Sequence, residues 1–202
     1  MPIFTGLSKA LGGTEQETPK QQYFYGLVQK NVLVTGAYGQ LGSEIKALTS
    51  RMNLPFRFFF TDADTLDITD IRQIDAFVID RQIQYLINCA AYTAVDKAET
   101  DEDKAAAINV TAVANIGQVA RKYGVKVIHI STDFVFDGMS TVPYTETMDT
   151  NPLSVYGKTK LAGEKALQAA GCDWMILRTS WLYSEFGANF VKTMIRLMHE
   201  KE

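Results

Sequence analysis

Val32-Leu33-Val34 is a short apolar run that gives way at once to Gly36-Ala37-Tyr38-Gly39-Gln40-Leu41-Gly42, after which Leu41, Ile45 and Leu48 recur at helical spacing. A buried strand that turns on glycine straight into a helix cannot close as a hairpin. The chain must cross back over the sheet and re-enter it in parallel. The rest of the sequence repeats the same alternation. Phe56 to Thr61 reads as a second strand, Thr69 as the cap of a helix carrying Ile71, Ile74, Phe77 and Val78, and Tyr85 to Ala90 as a third strand. An alanine-rich helix is predicted from Asp101 to Tyr123, stopped by Gly124. A fourth strand runs from Val125 to Ser131, apolar except at Lys126 and His129. Tyr156 to Ala170 reads as a helix stopped by Gly171, Trp174 to Leu177 as a fifth strand, and Phe190, Met194 and Leu197 mark a last amphipathic helix. Continuously apolar strands alternating with helices belong to a parallel sheet covered on both faces. Right-handed crossovers make it a doubly wound α/β sheet of the Rossmann kind, spanning residues 30–202.

Residues 1–29 differ from the rest of the chain. They hold Gly12, Gly13 and Pro19 without sustained periodicity, and read as a leader, loosely ordered or packed on through Tyr23, Phe24 and Tyr25. The chain stops just after the last helix, where such a domain usually continues into a sixth strand or a substrate-gripping appendage. The expectation is therefore that a C-terminal substrate-binding part is missing.

Composition excludes several classes of function. With 20 basic and 23 acidic residues the formal charge is −3, which argues against a nucleic-acid partner. Cys89 and Cys172 stand far apart with no CxxC, which rules out a disulfide scaffold and a cysteine-rich zinc site. His129 and His199 have no ligand spacing between them, so no metal is expected. The cluster Glu99, Asp101, Glu102 and Asp103 reads as a charged helix start. No apolar run approaches the roughly 18 residues of a membrane span, and there is no apolar signal stretch, so the expected setting is cytoplasmic.

The glycines are spaced GxxGxxG, but the physical demands match those of the more familiar GxGxxG. One glycine makes the turn, one lets backbone N–H groups approach a pyrophosphate, and one lets the helix pack against the strand. Glycines alone are often only tight turns. Here they open a helix after the first strand, the context in which Gly36, Gly39, Gln40, Leu41 and Gly42 hold a dinucleotide at a helix N-terminus. Asp62, at the end of the second strand, is placed to bond a ribose 2′-hydroxyl and repel a 2′-phosphate. It favours NADH over NADPH, with Asp64 as a rival and a solvated turn as the plain reading of either. Asp67 and Ile68 are placed to touch an adenine, although Asp67 can equally be a capping or turn carboxylate. Asn88-Cys89-Ala90-Ala91 are small residues that let a cofactor lie across the strand ends, or that simply pack tightly.

Tyr156 and Lys160 lie four residues apart, on one face of a helix. A nearby ammonium favours phenolate and lowers a phenol pKa from about 10, making the tyrosine a usable acid or base. YxxxK alone usually decorates a solvated helix. Here Ser131-Thr132-Asp133 ends the fourth strand on the side where ligands sit, and Thr132 is placed to bond both a substrate oxygen and the tyrosine.

The segments Gly36 to Gly42, Asn88 to Glu99, Ser131 to Gly138, Pro152 to Ala166 and Arg178 to Tyr183 together resemble the extended short-chain dehydrogenase/reductase family. Within it they are most similar to the branch that reduces a keto-sugar on a dTDP carrier in dTDP-L-rhamnose synthesis. The resemblance implies reduction of dTDP-4-dehydro-L-rhamnose by hydride from NADH or NADPH. It implies Tyr156 as proton donor, Lys160 as its tuner and a nicotinamide-ribose ligand, and Thr132 as tuner and substrate contact. It implies Asp133 and Trp181 at the sugar nucleotide, and Ala91, Tyr92, Thr93 and Ile130 along the cofactor. By itself Trp181 would more often be a buried core aromatic. Phe134 departs from the family, which usually has tyrosine there, so one hydroxyl near the sugar is lost. Phe134 also counts against a dehydratase, which needs an acid at that position. An epimerase, or a non-catalytic regulatory subunit like the beta subunit of methionine adenosyltransferase, stays open as an alternative, and so does a homodimer.

Overall fold

Five parallel strands form one sheet in the order β2-β1-β3-β4-β5 in the computed structural model, which describes residues 29–200. The strands are β1 (Lys30–Thr35), β2 (Phe56–Thr61), β3 (Ile83–Asn88), β4 (Lys126–Thr132) and β5 (Trp174–Thr179). The order reverses between β1 and β3, and a doubly wound sheet opens its ligand crevice at such a switch point, beyond the carboxyl ends of the strands. The doubly wound parallel sheet expected from the sequence is thus present. Among the described residues it lacks the further strand that flanks β2 in the six-stranded dinucleotide order. The leader reading lies outside the described residues, apart from residue 29.

The helices are α1 (Gln40–Arg51), α2 (Ile71–Asp80), α3 (Val95–Ala98), α4 (Glu102–Ala106), α5 (Ala112–Tyr123), α6 (Val155–Ala170) and α7 (Phe190–Glu200). Their ends follow local chemistry. The cap of α2 is Asp70, which accepts from the Arg72 N–H, and not Thr69. Thr69 instead donates its own N–H and hydroxyl to Asp67 Oδ1, at 2.9 and 2.7 Å. Gly124 and Gly171 stop α5 and α6 in the left-handed conformation, at φ 68° and 69°. The single helix expected from Asp101 to Tyr123 is divided. A turn of π-helix, Ala107–Thr111, separates α4 from α5. The reason lies in Asn109, a polar side chain in an apolar run, which the extra residue of the π turn rotates inward.

One face of the sheet carries the main core. Leu33, Leu86 and Val127 meet Ile74 and Val78 of α2, Val113, Ile116 and Val119 of α5, and Leu167 of α6. Full burial of each such side chain stabilises the fold by about 1.5–3 kcal/mol. A smaller cluster, Tyr92, Ala98, Ala105 and Tyr156, joins the start of α6 to α3 and α4. No helix among the described residues is long and apolar enough to cross a membrane.

Candidate active site

A cleft of about 1060 Å³ crosses the carboxyl ends of the strands and runs from the glycine turn to the start of α6. Its first wall is the turn itself. Gly36 sits at φ 66°, and a Cβ there would come within 2.6 Å of the Ala90 nitrogen; a Cβ on Gly42 would come within 2.3 Å of the Gly36 oxygen. The first glycine lets the turn approach the end of β3, and the third lets α1 start against the turn. Gly39, between them, caps α1 with no side-chain hydrogen bond, and no acidic residue occupies the first turn. The first turn of the helix therefore carries no acidic residue of its own and no side-chain cap on its backbone donors, which suits a pyrophosphate. The residues present fit a dinucleotide.

The second wall follows β2. Asp62 lines the cleft, whereas Asp64 does not. Its Oδ2 accepts from the Tyr38 N–H at 3.0 Å, tying the end of β2 to the glycine turn, and Oδ1 accepts from Ala63 N–H at 2.8 Å. Asp67 and Ile68 also face the cleft. Asp67 holds Thr69 as well, so its turn role and its place in the cleft coexist. Ala91, Thr93 and Ile130 line the middle of the cleft together with Gln40 and Leu41. Tyr92 does not line it. Its ring is buried beside Tyr156, and its hydroxyl donates to Asp101 Oδ2 at 3.1 Å.

The third wall is chemical. Thr132, Asp133, Phe134, Tyr156, Lys160 and Trp181 all face the same space. Tyr156 is only 8% exposed, and Phe134 meets it edge-on with ring centres 5.5 Å apart. Thr132 accepts from the Phe134 N–H at 3.2 Å and donates to Asp133 at 3.1 Å. Trp181 is a surface aromatic at the cleft mouth, 68% exposed, not a core residue. It stands at φ 51°, an uncommon conformation for a bulky residue.

The electrostatics differ from the sequence expectation. Burial pushes the Tyr156 phenol above its ordinary value; the Thr132 hydroxyl offsets this in part and the Asp133 charge adds to it. One helical turn does bring Lys160 to the same face, but its ammonium is drawn sideways to Ile130 O at 2.7 Å, on the β4 backbone. Lys160 is itself 2% exposed, and burial lowers its pKa to about 8 against an opposing pull from Glu164. The site thus pairs a phenol that keeps its proton with an amine that loses its own readily. That combination suits donation of a proton to a growing oxyanion.

Several supports of the site were not anticipated. Glu99 Oε1 accepts from the Val155 N–H at 2.9 Å, capping α6 one residue before Tyr156. Asn109 Oδ1 accepts from Tyr92 N–H at 2.9 Å, and its amide donates to Tyr92 O and Thr159 Oγ1, both at 3.2 Å. Glu164 is buried and ion-paired to Arg178 at 2.7 Å, with Ser131 donating to the same carboxylate. A lone asparagine on an apolar helix face was the visible signal for Asn109. Nothing local in the sequence singles out Glu99 from its acidic neighbours.

Comparison with known proteins agrees with this geometry. A family model described as the RmlD substrate binding domain matches residues 30–202. The dTDP-4-dehydrorhamnose reductase of Escherichia coli (strain K12) is 42% identical over 173 residues, covering 85% of this chain and 58% of that protein. The dTDP-4-keto-6-deoxy-D-glucose reductase of Streptomyces niveus is 41% identical over 171 residues, 84% of this chain and 59% of that one. The crystal structure of dTDP-4-dehydrorhamnose reductase from Bacillus anthracis str. Ames in complex with NADP is 40% identical with a TM-score of 0.81, covering 86% of this chain and 61% of that chain. The chain spans about three-fifths of the length of these relatives.

Proposed function

Because the chain belongs to the family of the RmlD substrate binding domain, we propose that it reduces the C4 keto group of dTDP-4-dehydro-L-rhamnose to the alcohol of dTDP-L-rhamnose. The observation that carries this reading is a single cleft with an anion-ready glycine turn at one end and a buried, protonated phenol at the other. When bound, NADH or NADPH would supply the hydride for the carbonyl carbon. Tyr156 gives its proton to the carbonyl oxygen, and Thr132 orients both. Lys160 supports Tyr156 and would hold the nicotinamide ribose. Gly36, Gly39, Gln40, Leu41 and Gly42 receive the pyrophosphate. Asp62 takes the adenosine ribose and disfavours a 2′-phosphate, and Asp67 and Ile68 border the adenine. Ala91, Thr93 and Ile130 flank the cofactor, with Tyr92 backing Tyr156 from the core. Asp133 and Trp181 meet the sugar nucleotide. The proposal includes a cytoplasmic setting, and residues 1–29 as a leader ahead of the nucleotide-binding domain at 30–202. It also leaves room for a homodimer, which sedimentation addresses.

The decisive experiment is Tyr156→Phe in the full-length protein. Turnover of the keto-sugar should fall at least about 10²-fold, the scale of general-acid catalysis. Dinucleotide affinity, measured by fluorescence titration, should hardly change. Undiminished turnover overturns the assignment.

A further inference from the structure

His129 lies in the middle of β4, fully buried, and the proposed reduction makes no use of it. It sits in a row of polar side chains that runs across the strands, where Thr35, Asn88 and His129 are register partners on β1, β3 and β4. Each hydrogen bond in the row can be given a direction. The Ala90 N–H, which can only donate, points at Asn88 Oδ1 at 3.2 Å, and the Thr35 hydroxyl donates to the same oxygen at 2.7 Å. That identifies the oxygen of the Asn88 amide and leaves its NH₂ facing His129 Nδ1 at 3.0 Å. An amide nitrogen only donates, so Nδ1 accepts, and a neutral imidazole then carries its proton on Nε2. Nε2 stands 3.4 Å from Lys160 Nζ. A neutral amine has a lone pair for that proton. An ammonium has none, and would set donor against donor.

We infer that Asn88 and His129 are positioning residues for Lys160: the Asn88 amide fixes the His129 ring with its proton on Nε2, and that proton opposes a positive charge on Nζ. The inference rests on the reading of Lys160 as the partner of Tyr156, and it deepens that reading. Less positive charge beside the phenol leaves the phenol protonated, which biases the site toward giving a proton rather than taking one.

The other charged groups around Lys160 do not supply this effect. On α6 itself, Glu164 favours the ammonium and is held by Arg178 of β5, while Tyr156 is uncharged at neutral pH. Asp133, after β4, is engaged by Thr132. From α3 and the segment before α4, Glu99 and Asp101 are turned to the α6 N-terminus and to Tyr92. Burial pushes His129 down to about 3, so the ring stays neutral and cannot act by its own charge.

Asn88→Asp reverses the row. The carboxylate still accepts from Thr35 and Ala90, but now accepts from His129 Nδ1–H as well, which frees Nε2 to receive a proton from the Lys160 ammonium. His129→Gln removes the ring and presents an amide oxygen to Nζ. The test is NMR on the full chain. ¹⁵N shifts of His129 report the tautomer. A ¹³Cε titration of labelled lysines, assigned with Lys160→Met, reports Nζ. The expected results are Nε2–H in the wild type and an upward move of the Lys160 titration by about one pH unit or more in Asn88→Asp. His129→Gln should move it in the same direction, and it decides the matter if circular dichroism shows Asn88→Asp unfolded. A proton on Nδ1, or a Lys160 titration unmoved in the folded variants, overturns the inference. None of these readouts needs turnover. Failure of the dehydrogenase reading would show separately, as undiminished activity in Tyr156→Phe.

Discussion

At the scale of single residues the most consequential feature is a lysine amine that is almost wholly buried. Its folded pKa, about 8, lies below the 10.5 of the unfolded chain. Between these values the unfolded state binds the extra proton, so this group's contribution to stability rises as pH climbs from 8 to 10.5. Below pH 8 the full cost of burying the charge is present. Lys160→Met removes that cost and forfeits one hydrogen bond to Ile130 O. The variant's stability relative to the wild type should therefore fall by about 3 kcal/mol between pH 8 and 10.5. Urea denaturation at a series of pH values checks this, and a gap independent of pH would show that the amine is not held in a desolvated site. Tyr156 illustrates the competition between periodicity and burial. Its position one turn from Lys160 was legible in the spacing. The direction of its pKa was not, because burial has the largest influence on it, and the rings that bury the phenol, Phe134 and Tyr92, come from other elements that no local window contains.

At the scale of elements, the placement of α6 decides whether the site exists. Two backbone carbonyls press on it at glycines. A Cβ on Gly157 would lie 2.3 Å from Phe134 O, and one on Gly163 would lie 2.0 Å from Asn109 O, inside the π turn. The Asn109 carbonyl belongs to the π turn and the Phe134 carbonyl to the short 3₁₀ turn, Asp133–Val135, that follows β4. Gly163→Ala should therefore cost about 1–3 kcal/mol, as overpacking does, even though alanine is the better helix former in isolation. A higher denaturation midpoint in Gly163→Ala would mean that helix propensity outweighs the contact. Glu99 and Ser154 hold the same helix from its start, through Val155 N–H and Gly157 N–H. The boundaries of α6 were readable from Gly171 and the apolar spacing, since both signals are local. The π turn was not. A helix periodicity carries no mark of one extra residue per turn, and the advantage to Asn109 comes from Tyr92 and Thr159, which no local window contains.

At the scale of the molecule, the crevice spans the point where strand order reverses, so a ligand lying in it touches β1, β2, β3 and β4 at once. Binding to the folded state alone should stabilise the whole domain, by about 2.7 kcal/mol at a dinucleotide concentration one hundred times Kd. The thermal midpoint should rise with NADH and rise less with the same concentration of NADPH, since Asp62 faces the cleft. Equal rises would remove Asp62 from cofactor discrimination. The alternation of apolar strands and helices was enough to read a doubly wound sheet. The glycine bend and the Tyr156–Lys160 pair were enough to read the two ends of the site. What escaped was whatever depends on strand register, above all the row from Thr35 through Asn88 and His129 to Lys160. That row has a fixed polarity. The Ala90 N–H anchors the Asn88 amide, and the amide sets the tautomer of His129. Because an imidazole can carry its proton on either nitrogen, a reversal at Asn88 travels down the row instead of stopping beside it. A change made on β3 is therefore felt on α6, relayed by the ring on β4 that stands between them.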